Sequence, residues 1–350
     1  MSQRLLFVGA GAIGSYLGAF LARAGHEVTL VDPWPEQVET IRAQGIRVTG
    51  PHEPFHAKVA SIVHLADAAS LPADFDVAFV AMKAYDTEWA TRLAVDRLAP
   101  SGYVVASQNC WTDPVVASVA GRERAVGLVM SKIGVAVWRP GEVERGMEAG
   151  RGAGHDVFRV GEHDGALTPR TAALAEMLSV VDGARPTDNL WGERWAKLSQ
   201  NAMGNPVQAM TGLGNVEIAG QARGREITIR LGQESARVGL ARGYRIPAFG
   251  GFPAERWAAA EPATYRELDA LLASKGTGGR NWRASMAQDV AKGRRTEIDY
   301  MNGHVVDEGR KAGVPTPVSG AVVDLVREID AGARRPAPEL LELALRRAEG

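Results

Sequence analysis

Three glycines, Gly9, Gly11 and Gly14, stand in the stretch "FVGAGAIGSYLG", between a short apolar run, Arg4–Val8, and a helical pattern, Ile13–Ala24. This is the setting of a dinucleotide cradle. The first glycine allows a tight turn, the second lets the backbone approach a pyrophosphate, and the third lets helix and strand pack closely. Unpaired N–H groups at a helix N-terminus face the phosphates. Gly9, Gly11, Ala12, Ile13 and Gly14 are therefore candidate cofactor contacts. Asp32 follows at the end of a second strand, "EVTLVD". A carboxylate there accepts hydrogen bonds from ribose hydroxyls and repels a 2′-phosphate. The next residues are Pro33, Trp34, Pro35 and Glu36, with no arginine or lysine among them, so NAD(H) is expected over NADP(H). The plainer alternative for Asp32 is a turn or capping role ahead of Pro33.

Further polar residues sit where chemistry would need them. Lys83 follows the strand "VAFVAM" and Asn109 follows "VVASQ". Ligands of open α/β sheets bind beyond the carboxyl ends of strands. Taken singly, each reads as a solvated loop residue; their shared edge tips them towards function. In "WGERWAKLSQNAMGNPVQ", Lys197, Asn201 and Asn205 recur every four residues and so share one helical face, drifting about 40° per step. Asparagine is a poor mid-helix residue. With Leu198, Ala202 and Met203 reading as buried neighbours, the strip reads as a polar face entering a pocket rather than an exposed stripe. Pro206 is expected to kink or end that helix. The segment "NWRASMAQDVAKGRRTEIDYMNGHVV" adds Ser285 and Glu297 within a charged helical face.

Strands alternate with helical patterns through the first half, which predicts βαβ units and a parallel sheet. The run "AVGLVMSKIGVAVWRPGEVERG" continues the strand signal into a more antiparallel edge. The glycine-rich stretch from Glu144 to Gly165 reads as a loop or hairpin near the domain boundary, or equally as a lid on the substrate side. Beyond it the pattern is mostly helical, with long segments Leu190–Ala209, Ala222–Gly243 and Met286–Ala312. The expected fold is α/β: an N-terminal Rossmann dinucleotide-binding domain over residues 1–185 and an all-α domain over 186–333. A tail helix over 334–350 reads as short, amphipathic and solvated.

Composition removes whole classes of function. A chain of 350 residues is too long for one ordinary core. A formal net charge of −1 argues against a nucleic-acid partner. No apolar run is long enough to suggest a membrane span, and the N-terminus enters a strand without a signal-peptide pattern, so a cytoplasmic protein is expected. A single cysteine, Cys110, leaves no internal disulfide and no multi-cysteine zinc site, and no metal is expected.

Taken together, the stretches "GAGAIGSYLGAFLARAGHEVTLV", "VAMKAYDT", "QNC", "ERWAKLSQNAMGNPVQAM", "ASMAQDV", "RRTEIDYMNGHVV" and "GVPTPV" resemble the ketopantoate reductase family, 2-dehydropantoate 2-reductases and their relatives. The resemblance spans about Leu5 to Leu325, and the K-x-x-x-N-x-x-x-N-P run with T-E-I-D-Y-x-N-G is its specific part. It implies a Rossmann domain joined to a helical domain, an active site in the cleft, and a homodimer through the helical domain. It implies that Lys197 is the catalytic lysine, the proton donor to the carbonyl. By the same resemblance Asn201 and Asn205 line the substrate site, Ser285 hydrogen-bonds the substrate and Glu297 supports substrate binding or catalysis. Lys83 and Asn109 match strand-end residues near nicotinamide and substrate. The chemistry is coherent: hydride arriving at a 2-keto carbon leaves charge on oxygen, which an ammonium stabilises and protonates.

The sequence departs from the family at three places, one of them the Glu144–Gly165 stretch, longer and more glycine-rich than the family's. The family commonly has a basic residue at the end of strand two for the 2′-phosphate of NADPH; here Asp32 and Pro33 stand there. It usually follows the strand-end asparagine with glycine; here Cys110 and Trp111 follow Asn109. The expected activity is NAD(P)-dependent hydride transfer between a 2-keto acid and its 2-hydroxy acid, or a similar carbonyl and alcohol, with NAD(H) favoured. Within the family, NAD-linked members act on D-2-hydroxy acids. The rivals are NADPH-dependent 2-dehydropantoate reduction and a non-catalytic dinucleotide sensor.

Overall fold

The computed structural model describes residues 2–259, 261–276 and 281–350. The chain divides into two compact units, Met1–Leu190 and Trp191–Gly350. The division falls five residues beyond the boundary expected from the sequence.

The strands of the first unit are β1 (Arg4–Val8), β2 (Glu27–Asp32), β3 (Ile46–Thr49), β4 (Phe55–Ala57), β5 (Ser61–His64), β6 (Phe75–Val80), β7 (Leu98–Ala106), β8 (Ala125–Met130), β9 (Val135–Arg139), β10 (Glu142–Arg145), β11 (Phe158–Gly161) and β12 (Ala184–Pro186). Its helices are α1 (Ala12–Arg23), α2 (Pro35–Gln44), α3 (Thr87–Arg97), α4 (Asp113–Ala120) and α5 (Pro169–Leu178). Among the described residues the main sheet runs β12-β11-β8-β7-β6-β1-β2-β5. It is parallel from β5 to β8, and β11 then joins β8 antiparallel. This is the doubly wound order, and the strand sequence reverses beside β1, which sends ligands to the carboxyl ends of β1 and β6. Both faces of β1 are covered, as a parallel sheet requires. Leu5 and Phe7 enter one core cluster, and Leu6 and Val8 enter the other. Phe7 stacks on Phe79 of β6 at a centroid distance of 4.4 Å.

Helix α1 stops where the sequence predicts. Gly25, at φ +92°, donates to Ala22 O and His26 donates to Leu21 O, a paired closure that suits glycine. The antiparallel edge is only partly as expected. β11 supplies it on the main sheet, but β9 and β10 leave for a second sheet of order β4-β3-β10-β9.

The glycine-rich stretch after β10 is fastened within the first unit. Asp182 accepts N–H groups from Gly150 (3.0 Å), Arg151 (2.8 Å) and Gly183 (2.7 Å), and the Arg145 guanidinium lies 2.5 Å from it. Asp182 and Arg145 are buried together. One carboxylate thus gathers the loop, the end of β10 and the approach to β12.

The second unit is helical: α6 (Leu190–Thr211, beginning at the boundary), α7 (Asn215–Gly220), α8 (Ala222–Ala241), α9 (Ala254–Ala258), α10 (Pro262–Lys275), α11 (Ser285–Ala291), α12 (Asn302–Ala312), α13 (Pro317–Asp330) and α14 (Leu340–Glu349). Helix α8 packs against α9, α10, α12, α13 and α14. Its buried Glu234 accepts the Val318 and Ser319 N–H groups, each at 2.8 Å, and so caps α13 from a neighbouring helix.

Three sequence expectations change here. The segment Met286–Ala312 is not one helix: Gly293 takes φ +62°, Arg294 donates back to Asp289 O, and α11 closes. A short 3₁₀ turn, Ile298–Tyr300, then precedes α12. The tail helix is not solvated all round, because Leu340, Leu341, Ala344 and Leu345 are buried and α14 packs on α13 and α8. Finally, of the kink or end expected at Pro206, the end is excluded: α6 runs on to Thr211. Proline removes the N–H that would bond the carbonyl four residues back, here that of Ala202. Asn302 Nδ2 donates to Ala202 O instead, at 3.0 Å. Leaving such a carbonyl buried without a donor costs about 1–3 kcal/mol.

Candidate active site

The glycine turn has the steric properties of a cradle. A Cβ on Gly14 would sit 1.8 Å from Gly9 O, and one on Gly9, at φ +112°, would meet the Ala81 backbone at 2.8 Å. These two glycines are required by the fold. A Cβ on Gly11 meets nothing within 4 Å. The absent side chain therefore leaves open space beside the start of α1, as close approach of a phosphate group requires. Helix α1 has no side-chain cap and no acidic residue in its first turn. Ala12 and Ile13 offer their backbone N–H groups there; the Ile13 side chain packs against the core.

Asp32 does not simply face solvent at the end of β2. Its Oδ2 accepts Ala10 N–H at 2.6 Å and its Oδ1 accepts Trp34 N–H at 2.9 Å. A carboxylate can accept more than one donor, which is the chemistry a ribose hydroxyl would use. The next peptide group, which carries the Ala10 carbonyl, is also clamped. Ala10 O accepts Gln37 Nε2 and Ser15 Oγ, both at 2.7 Å. Gln37 is 1% exposed, and its Oε1 accepts Gly141 N–H at 2.8 Å. Sequence reasoning missed Gln37 and Ser15: Gln37 lies in no motif and acts through tertiary contact, and Ser15, though it follows Gly14 directly, was given no role. The residues after Asp32 bring Glu36 into the first turn of α2 and no base.

Lys83 and Asn109 follow β6 and β7, half-buried. Gln108 links their loops: its Nε2 donates to Met82 O (2.9 Å), Lys83 O (3.2 Å) and Thr87 Oγ1 (3.0 Å). Gln108, the first residue of the "QNC" stretch, is another positioning residue, a role the sequence did not assign to it. Cys110 stands at φ +67°. That left-handed conformation suits glycine and costs other residues about 1–2 kcal/mol, which accounts physically for a glycine at this turn.

In the second unit, α6 carries Lys197, half-buried, and Asn201 and Asn205, each 7% exposed. The helix is continuous across them, so the three share one face. Its other side is anchored by Trp195, whose Nε1 donates to Ser235 O at 3.0 Å, and by Ser199, 2.7 Å from Ser235 Oγ. Asn205 Oδ1 accepts Ser285 Oγ–H (3.0 Å) and Met286 N–H (3.3 Å), and its Nδ2 donates to Asn201 O (3.2 Å). Asn205 thereby caps α11, whose own N-cap, Ala284, has no side chain to do so. Ser285, donating to Asn205, keeps acceptor capacity for an incoming hydroxyl or N–H. Glu297 is buried at the turn before α12. The structure thus joins Asn201, Asn205 and Ser285 by hydrogen bonds in the second unit, and it joins Asp32 to the glycine turn in the first.

The described residues contain no His, Cys, Asp and Glu cluster suited to a metal, and no helix among them is long and apolar enough to cross a membrane. Comparison with known proteins gives a consistent picture. Residues 5–159 match the family model "Ketopantoate reductase PanE/ApbA", and residues 189–330 match its C-terminal counterpart. A 2-dehydropantoate 2-reductase of Archaeoglobus fulgidus is 28% identical over 333 residues, covering 94% of this chain and 99% of the relative. The Mesorhizobium japonicum enzyme of the same name is 28% identical, over 93% and 98%. The crystal structure of a PanE/ApbA family ketopantoate reductase from Ralstonia eutropha superposes with a TM-score of 0.76 at 26% identity, covering 95% of this chain and all of that one. A D-mandelate dehydrogenase solved with NADH and anilino(oxo)acetate has the same fold, with a TM-score of 0.77 at 21% identity over 94% and 99%. With both family models matched in order across most of its length, the chain belongs to the ketopantoate reductase family of NAD(P)-dependent oxidoreductases.

Proposed function

We propose that this protein interconverts a 2-keto acid and its 2-hydroxy acid, using NAD(H), with Lys197 as general acid and base. The observation that carries the reading is the continuous α6 face bearing Lys197, Asn201 and Asn205, with Ser285 tied to Asn205. A bound reduced nicotinamide supplies hydride to the keto carbon. The glycine turn and the N-terminus of α1 hold the pyrophosphate, and Asp32 accepts ribose hydroxyls. Lys83 and Asn109 contribute at the nicotinamide end. Lys197 stabilises the developing alkoxide and gives it a proton at oxygen. Asn201, Asn205 and Ser285 orient the substrate, and Glu297 supports them. Cytoplasmic residence and a homodimer formed through the helical unit belong to the same proposal.

NAD(H) is favoured because Asp32 and Glu36 oppose a 2′-phosphate and residues 33–36 include no arginine or lysine. The D-mandelate dehydrogenase of this fold is described with NADH. The second reading, NADPH-dependent 2-dehydropantoate reduction, is favoured by the names of the relatives. A panel of 2-keto and 2-hydroxy acids, each assayed with NAD(H) and NADP(H), separates the two. The proposal expects turnover with NADH of a keto acid other than ketopantoate. An NADPH preference of tenfold or more, about 1.4 kcal/mol, with ketopantoate as best substrate, supports the second reading. Tight dinucleotide binding with no turnover of any substrate would point to a sensor.

A further inference from the structure

Two stretches of the second unit meet at one atom. The carbonyl of Ala202 lies within α6, and the residue four positions on, Pro206, has no N–H to give it. Asn302, at the first turn of α12 and a hundred residues away in sequence, donates Nδ2 to that carbonyl at 3.0 Å. Asn302 is 0% exposed and Ala202 is 1% exposed. A carbonyl is met only by a donor, so the nitrogen of the amide faces it. Asn302 Oδ1 is buried without a hydrogen-bond partner among the described residues. The side chain is thus held for its one donation.

The position of the break matters. A proline opens the helix in the turn before it, here between Asn201 and Asn205. A bend there separates Lys197 from Asn205 and from Ser285, which is bonded to Asn205. Asn302 also sits two residues after the Ile298–Tyr300 turn whose N-terminal flank is Glu297. One hydrogen bond therefore closes the gap in α6 and draws the Glu297 segment against the same helix.

We infer that Asn302 is a positioning residue of the active site, its amide standing in for the N–H that Pro206 withholds and keeping Lys197 aligned with Asn205, Ser285 and Glu297. The catalytic part of this inference rests on the function proposed above. The substitution of a side-chain amide for a backbone N–H does not.

The test is a cycle of Asn302→Ala, Pro206→Ala and the double variant, since alanine at 206 restores a backbone donor to Ala202 O. Asn302→Ala alone is expected to lower kcat on the order of ten- to a hundredfold through misalignment, with KM for the dinucleotide unchanged. The double variant is expected to recover to about threefold of Pro206→Ala, since the two changes address one carbonyl and are non-additive. An unchanged kcat in Asn302→Ala, or an equal loss in both backgrounds, overturns the inference. Should Asn302→Ala fail to fold, the double variant is expected to fold and turn over; its failure counts against us. Thermal melting reads the same cycle without activity. Asn302→Ala is expected to lower Tm by about 2–8 °C in the parent, and by less than half of that beside Pro206→Ala. Equal drops refute the substitution of amide for N–H. With no turnover in the parent protein, the catalytic part falls with the functional reading, while the melting cycle still decides the structural part.

Discussion

Asp32 Oδ2 accepts the N–H of Ala10 at 2.6 Å, so the carboxylate at the end of β2 holds the glycine turn itself. The turn role read from the sequence for Asp32 is also seen, beside a hold on the glycine turn that the sequence did not suggest. The side chain ends a turn through Trp34 N–H and fixes the loop that would carry the pyrophosphate. Replacing it loosens the cradle before it alters any preference between nucleotides. We expect Asp32→Ala to weaken both NADH and NADPH binding, NADH by tenfold or more, because a buried hydrogen bond to a charged group is worth about 1.5–3 kcal/mol. Fluorescence titration of the reduced cofactors reads this. A gain in NADPH affinity with no loss of Tm would show Asp32 to be a simple filter against phosphate.

The glycines divide by what their missing side chains would touch. Gly14→Ala drives a Cβ into Gly9 O and is expected to prevent correct folding of the first unit. Gly11→Ala meets no protein atom, and at φ −70° it imposes no left-handed strain. It should leave Tm within about 2 °C of the parent and still weaken NADH binding by tenfold or more. Calorimetry beside cofactor titration checks both. Equal damage to stability from the two variants would contradict the open space at Gly11.

Asp182 gives the protein an acid limb that can be assigned. Burial pushes its carboxyl pKa up, but N–H groups of Gly150, Arg151 and Gly183, together with Arg145, more than offset this and hold it below 3.8. The folded form is therefore still ionised at pH values where the unfolded chain takes up a proton. Its contribution to stability is present above about pH 3.8 and fades as pH falls through the lower folded value. Asp182→Asn leaves Arg145 buried without its counter-charge, a loss of about 3–5 kcal/mol, and flattens that limb. Melting temperature followed from pH 7 to pH 3 reports both effects. Superposable curves for parent and variant would remove Asp182 from the account.

The legible parts of this protein were those written in local patterns. The glycine spacing, the alternation of strands and helices, and the four-residue spacing of Lys197, Asn201 and Asn205 depend on backbone geometry that neighbours in sequence dictate. What stayed hidden depends on distant partners. Pro206 read as a kink or an end because the donor that replaces its N–H, Asn302, is almost a hundred residues on. Gln37 carried no signal and Gln108 had no role beyond its place in "QNC", since a glutamine that clamps a loop looks like one on the surface. The break at Gly293 was local and readable, but the charges of "KGRRTEID" masked it as a helical face. The tail helix had an apolar stripe in its sequence, and only the packing of α13 and α8 revealed what covers it.

The central claim is that Lys197 protonates the alkoxide formed at a 2-keto carbon. Steady-state and single-turnover NADH oxidation by Lys197→Met, with the cofactor Kd measured in the same preparation, tests it most directly. The account predicts an unchanged Kd for NADH and a kcat reduced on the order of a hundred- to ten-thousandfold, the usual range for a lost general acid. Turnover within a few fold of the parent, with substrate and cofactor saturating, would contradict it.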